Sequence, residues 1–152
     1  MLKKILLVLL VLFIIAQFIQ PPKNNGAADG PNDITHALNV PANVMGVLRS
    51  ACYDCHSNHT DYPWYSRITP VNWWLNDHIE EGRHELNFSE FASYDTKKRR
   101  KKLEETEELV RKGKMPLSSY TWIHADARLD EQQKSLLADW AAAAAGRHEN
   151  DD

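Results

Sequence analysis

Residues 52–56 read Cys52-Tyr53-Asp54-Cys55-His56. A C-x-x-C-H run is the attachment sequence of a c-type haem. The reason is geometric. Two thiols one helical turn apart can each add to a vinyl group of the ring, and the adjacent imidazole then lies below it, where it can bind iron. The covalent links set the ring's orientation, so the protein needs less enclosing core than a non-covalent pocket would. Two other chemistries use the same residues. A redox C-x-x-C wants a βαβ pattern around it, and the surrounding pattern is helical. A zinc site could take Cys52, Cys55 and His56 or His59, completed by His78, His84 or His124. A structural zinc site, however, usually draws on two separated ligand pairs. The chain has two cysteines, too few for a disulfide-stapled mini-domain or a four-thiolate site.

The sequence on either side predicts an all-α domain. Upstream, Val44, Val47, Leu48, Ala51 and Cys52 recur at helical spacing behind Pro41, a helix-starting residue, and this helix is expected to run into the cysteine pair. Downstream, Ser57 to Ser66 reads as a polar and aromatic loop. Thr69-Pro70 reads as a cap before a second helix whose apolar face is Val71, Trp74, Leu75, His78 and Ile79. Asn87 to Tyr94 is ambiguous. Asp95 caps a third, highly charged helix that stops near Gly113. Asp130 with Gln133 forms a capping box ahead of a stripe of Leu136, Leu137, Trp140, Ala141 and Ala144, and Gly146 is its stop.

With these segments in view, the chain resembles the bacterial haem-binding domain proteins, small membrane-anchored chains with one C-x-x-C-H. The resemblance covers roughly residues 34–145. It rests on the run from Cys52 to Thr60 with Tyr62-Pro63-Trp64-Tyr65-Ser66, on Leu86 to Glu90, on Lys114 to Tyr120, and on the Leu129 to Trp140 helix. It implies a cytochrome c-like all-α domain that binds one haem. It implies neither a particular redox partner nor an enzymatic activity.

His56 is the expected proximal iron ligand and Met115 the distal one. Met115 stands in a loop between two helices, before Pro116. A thioether there favours reduced iron and raises the potential. His124 is the rival distal ligand. His59 is too close to His56 to reach the opposite face, His78 reads as a core histidine, and His36, His84 and His148 read as solvent-facing. Tyr62, Trp64, Tyr65, Trp73, Trp74, Tyr120 and Trp122 are candidates for an apolar wall. Arg67, Arg83 and Lys114 are candidates for pairing with propionates.

The N-terminus reads as an export segment. Lys3 and Lys4 precede an apolar run from Ile5 to Ile19 broken only by Gln17. As a helix that run is about 22 Å long, short against a bilayer core of about 30 Å and at the upper limit of a signal-peptide apolar region. No convincing cleavage site follows directly, so an uncleaved anchor is favoured over a removed signal. The charge asymmetry puts the domain on the exported side, the periplasm of a bacterium. The expected boundaries are an anchor over 1–20, a linker over 21–33, the haem domain over 34–146 and a polar tail over 147–152.

The composition is that of one globular domain: 43% apolar and 26% charged residues, with a net charge of −3. The negative balance argues against a nucleic-acid binder. The run Lys97 to Lys102 is then either a solvated helix face or a patch for an acidic redox partner or anionic lipid. The expected function is single-electron transfer by one covalently bound haem c. A haem-based sensor or ligand-binding module is the alternative, and a haem enzyme such as a peroxidase is disfavoured because no acid–base pair identifies one.

Overall fold

The computed structural model describes residues 1–146. Among them the regular structure is helical, with no β-strand. Helix α1 (Leu2–Ala16) carries the apolar run and buries none of its side chains. Helix α2 (Ala42–Ala51) leads into a single turn, α3 (Tyr53–His56). Helix α4 (Val71–Glu85), helix α5 (Thr96–Arg111), a short turn α6 (Ser118–Thr121) and helix α7 (Glu131–Ala144) follow.

Capping chemistry sets the ends of the two longest C-terminal helices. The Asp95 carboxylate accepts the Lys98 amide at 2.8 Å and starts α5. Gly113, at φ 62°, ends that helix in the left-handed region that glycine tolerates best. Asp130 and Gln133 form the reciprocal capping box of α7, with bonds of 2.8 and 3.0 Å. Helix α5 packs along α7, and α2 closes against α7 and α3. The core they share holds Ile34, Val44, Val47, Leu48, Phe91, Leu103, Val110, Leu137 and Ala138.

The structure differs from the periodicity in several places. Pro41 is the cap of α2, not its first turn. Helix α2 stops at Ala51, because Cys52 leaves helical geometry at φ −127°. Pro70, not Thr69, caps α4; the Thr69 side chain is buried and caps nothing. The buried stripe of α4 is Asn72, Leu75 and Ile79, while Val71 and Trp74 face outward. The ambiguous stretch is a 3-10 helix, Phe88–Ser93, held in the core by Phe88 and Phe91.

Residues 21–33 pack on the domain. The Asn24 amide group donates to Ser57 O and Thr60 Oγ1, and its backbone N–H donates to Tyr62 Oη. Asp33 accepts the Tyr53 hydroxyl at 3.1 Å. The tail from residue 147 lies outside the described residues. No described helix is long and apolar enough to cross a membrane.

Leu137 is fully buried in this core. Leu137→Ala should lower the unfolding free energy by about 2–5 kcal/mol, since truncation leaves a cavity that rigid helices refill only in part. A shifted denaturant midpoint at unchanged slope is the measurement.

Candidate functional site

The break at Cys52 builds the site. Cys52 closes α2 through its amide to Leu48 O and opens α3 by accepting the amides of Cys55 and His56 at 3.2 and 2.9 Å. Tyr53 turns into the core, where it stacks on Phe88 with ring centroids 5.3 Å apart. With Tyr53 fixed on that side, Cys52, Cys55 and His56 all line one cleft.

His56 is held by α4. Its Nδ1 lies 2.9 Å from both Gly82 O and Leu86 O. A carbonyl only accepts, so the network places the ring proton on Nδ1 and the free lone pair on Nε2. This second contact fixes tautomer and orientation, as for most metal-binding histidines. Burial holds the His56 pKa below its usual value, which keeps the ring neutral, the form that binds iron.

Gly82 makes the arrangement possible. A Cβ at this position would stand 2.7 Å from Cys55 O and 3.2 Å from Cys55 Cβ. Any side chain there would push α3 off α4 and lengthen the bonds that orient His56.

Met115 closes the cleft from the loop after α5, where Gly113 ends the helix and the Met115 amide returns to Leu109 O. Cys52, Cys55, His56 and Met115 bound a hollow of about 290 Å³ with Ala51, His78, Pro116 and Tyr120. An adjoining hollow of about 160 Å³ is walled by Leu86, Phe88, Leu109 and Val110 and shares Cys52, His56, Glu85 and Met115. Together they fall in the size range of cofactor sites, roughly 300–1,000 Å³.

The two cysteines are unbridged. Burial pushes the Cys52 thiol up to about 12 and the Cys55 thiol to about 11. Such thiols are poor thiolates, which disfavours redox exchange chemistry. For the zinc alternative, no three His, Cys, Asp or Glu side chains among the described residues stand close enough together to hold one ion, although Cys52, Cys55 and His56 share the cleft.

His124 is engaged elsewhere. Its Nε2 bonds the Tyr65 hydroxyl at 2.6 Å and its ring stacks on Tyr120 at 4.2 Å. It lines a crevice of about 10 Å³ behind Cys55 and Tyr120, not the cleft itself. Tyr120 lines the cleft, with its hydroxyl donating to Asp54 at 2.6 Å.

The other wall candidates sit away from the cleft lining. Tyr62 lies under Lys23, Trp64 and Arg67 are exposed, and Trp73 donates to Ile19 O. Trp74 reaches the cleft only through His78, against which its ring lies tilted with centroids 4.4 Å apart. Trp122 and Lys114 are exposed. Arg83 lines a polar hollow with Asn58 and Asn87.

The cleft residues absent from the sequence reading are Gly82 and the acids Glu81 and Glu85, while His78 was read as core. A glycine inside a helical pattern was the available signal for a close approach. The second half of the basic run is paired with carboxylates: Arg100 with Glu104, Lys101 with Glu105, and Lys102 with both Glu85 and Glu105.

Two glycine substitutions should have opposite signs. Gly82→Ala should destabilise by about 1–3 kcal/mol, the usual range for overpacking. Gly46→Ala, inside α2 with nothing within 4 Å of its Cβ position, should stabilise by about 0.5–1 kcal/mol by restricting the unfolded chain. Thermal unfolding of the two variants checks both.

Neither a curated protein nor a solved structure matches the chain. The model of one family, described as the haem-binding domain, matches residues 11–143 and so takes in α2 through the stripe of α7 together with every residue of the cleft. The chain therefore belongs to the haem-binding domain family.

Proposed function

We propose that the chain is a membrane-anchored, cytochrome c-like protein that carries single electrons through one covalently bound haem c on the exported side of the membrane. The observation that carries this reading is the meeting of Cys52, Cys55, His56 and Met115 in one cleft. The donor set fits the group. Each thiol would add its S–H across a vinyl group, sulfur to one carbon and hydrogen to the other, with no external oxidant. Bound in this way, the haem supplies a one-electron iron couple. His56 offers Nε2 as the proximal ligand, already oriented by the Gly82 and Leu86 carbonyls. Met115 offers a thioether from the facing loop, a ligand that favours reduced iron. Leu86, Phe88, Leu109 and Val110 keep water from one wall.

The role proposed is carriage, not turnover. With His56 and Met115 both holding the iron, no position would be left for a substrate, and the packing of the two side chains would limit rearrangement on electron transfer. The anchor reading is supported by α1, an apolar helix with every side chain out of the core, and by Lys3 and Lys4 at its start. The redox partner is a protein or membrane carrier of undefined identity.

Chain made with the haem maturation machinery should keep its haem through denaturing electrophoresis. Cys52→Ser with Cys55→Ser should abolish this retention, and a colourless wild-type product would refute the c-type assignment. Met115→Ala should remove the weak sulfur-to-iron band of the ferric spectrum, lower the potential and open the iron to carbon monoxide. An unchanged spectrum would refute Met115 as ligand. A wild-type protein that is already high-spin and binds carbon monoxide readily would point to a ligand-binding or sensing module.

A further inference from the structure

The end of α1 is not a free tether. Gln17 brackets Thr69: its side-chain amide donates to Thr69 O at 3.2 Å, and its Oε1 accepts the Thr69 amide at 3.0 Å. Asn72 donates to Gln20 Oε1 at 2.7 Å. Trp73 donates its indole N–H to Ile19 O at 2.9 Å. Four hydrogen bonds thus clamp residues 17–20 to the start of α4, so the domain must follow wherever the end of α1 goes.

Ile68, Val71, Trp73 and Trp74, in and next to the clamped segment 69–73, are exposed. Past Ile19, the large apolar side chains exposed among the described residues are Trp64, Ile68, Val71, Trp73, Trp74, Trp122 and Ile123. They occupy two segments, 64–74 and 122–123, which the Tyr65–His124 bond ties together. The rest of the surface carries none. Single exposed apolar residues need no explanation, but a group of them gathered at one place marks an interaction site.

Length decides what the site meets. Helix α1 has 15 residues, about 22 Å of helix, against a hydrocarbon core of about 30 Å. A short apolar segment draws its flanking residues toward the headgroups. The residues at the end of α1 are hydrogen-bonded to Thr69, Asn72 and Trp73, so these are drawn in as well. Tryptophan is the side chain best suited to that depth, with an apolar ring and one polar N–H.

We propose that the end of the domain at the start of α4, which exposes Ile68, Val71, Trp73 and Trp74, is seated in the headgroup region of the lipid bilayer that holds α1. The inference rests on the reading of α1 as an anchor. The domain then stands on the membrane in one orientation, not on a swinging stalk. The Trp74 ring lies tilted against His78, a residue of the haem cleft, so the cleft lies one ring away from the lipid-facing surface.

The test uses the full haem-loaded chain in phosphatidylcholine vesicles, with a benzoylphenylalanine photo-crosslinker replacing Val71 in one variant and Trp74 in a second. A third variant carries it in place of Lys101, on the solvated face of α5. An absorbance spectrum identical to wild type shows that each variant is folded. Lipid adducts, read by mass, should be on the order of tenfold more abundant from positions 71 and 74 than from 101, as expected for side chains reaching the headgroup–acyl boundary. Protein that floats with the vesicles but gives equal adducts at all three positions would overturn the seating while leaving the anchor in place. Protein that does not float would overturn the anchor and the seating together.

Discussion

The rest of the site depends on one contact, the approach of α3 to α4 at Gly82. Only the missing side chain lets the Cys55 carbonyl lie where a Cβ would otherwise be. That closeness puts the Gly82 and Leu86 carbonyls within 2.9 Å of His56 Nδ1. Three properties of a metal ligand follow: the proton sits on the nitrogen facing the protein, the lone pair faces the cleft, and the ring cannot rotate freely. A histidine on a single helical turn would otherwise have little to orient it, because four residues supply almost no packing of their own.

The remaining structure serves this contact from two directions. The core fixes the far side of the turn: Tyr53 is stacked on Phe88 and bonded to Asp33, so α3 is held at its start and its end. The pairing of α5 with α7 fixes the loop that follows α5, and with it Met115. One side of the cleft is thus built from α3 and α4, and the facing side from a loop whose position the C-terminal helices determine. A side chain on a loop of this kind keeps its distance only as long as the helices beneath it stay packed.

Charge and apolar surface divide the outside of the molecule. The basic run on α5 is matched by carboxylates one turn away and on α4. Such pairs contribute only a few tenths of a kcal/mol each where they are exposed, and they engage Arg100, Lys101 and Lys102, the second half of the run. Of the exposed tryptophans, Trp73 is bonded to the end of α1 and Trp74 follows it on α4.

Much of this was legible from residues alone, and the reason is locality. The C-x-x-C-H run, the Asp95 and Asp130 caps, the Gly113 stop and the apolar N-terminal helix are all decided within four or five residues, where backbone geometry leaves few choices. The i,i+4 pairs Glu107–Arg111 and Glu108–Lys112 follow from helical spacing in the same way. The haem-binding family was legible too, because the C-x-x-C-H run that carries the resemblance is contiguous in sequence. The helix break at Cys52, the outward turn of Val71 and Trp74 and the withdrawal of His124 to Tyr65 were not. Each depends on what a distant segment places opposite the residue: Phe88 and Asp33 for α3, residues 17–20 for the start of α4, and Tyr65 for His124. Periodicity reports that a face is apolar, whereas only the packed neighbours decide whether that face meets the core, a cofactor or the outside. For Gly82 the sequence shows an absent side chain, and the tertiary structure supplies the carbonyl that fills its place.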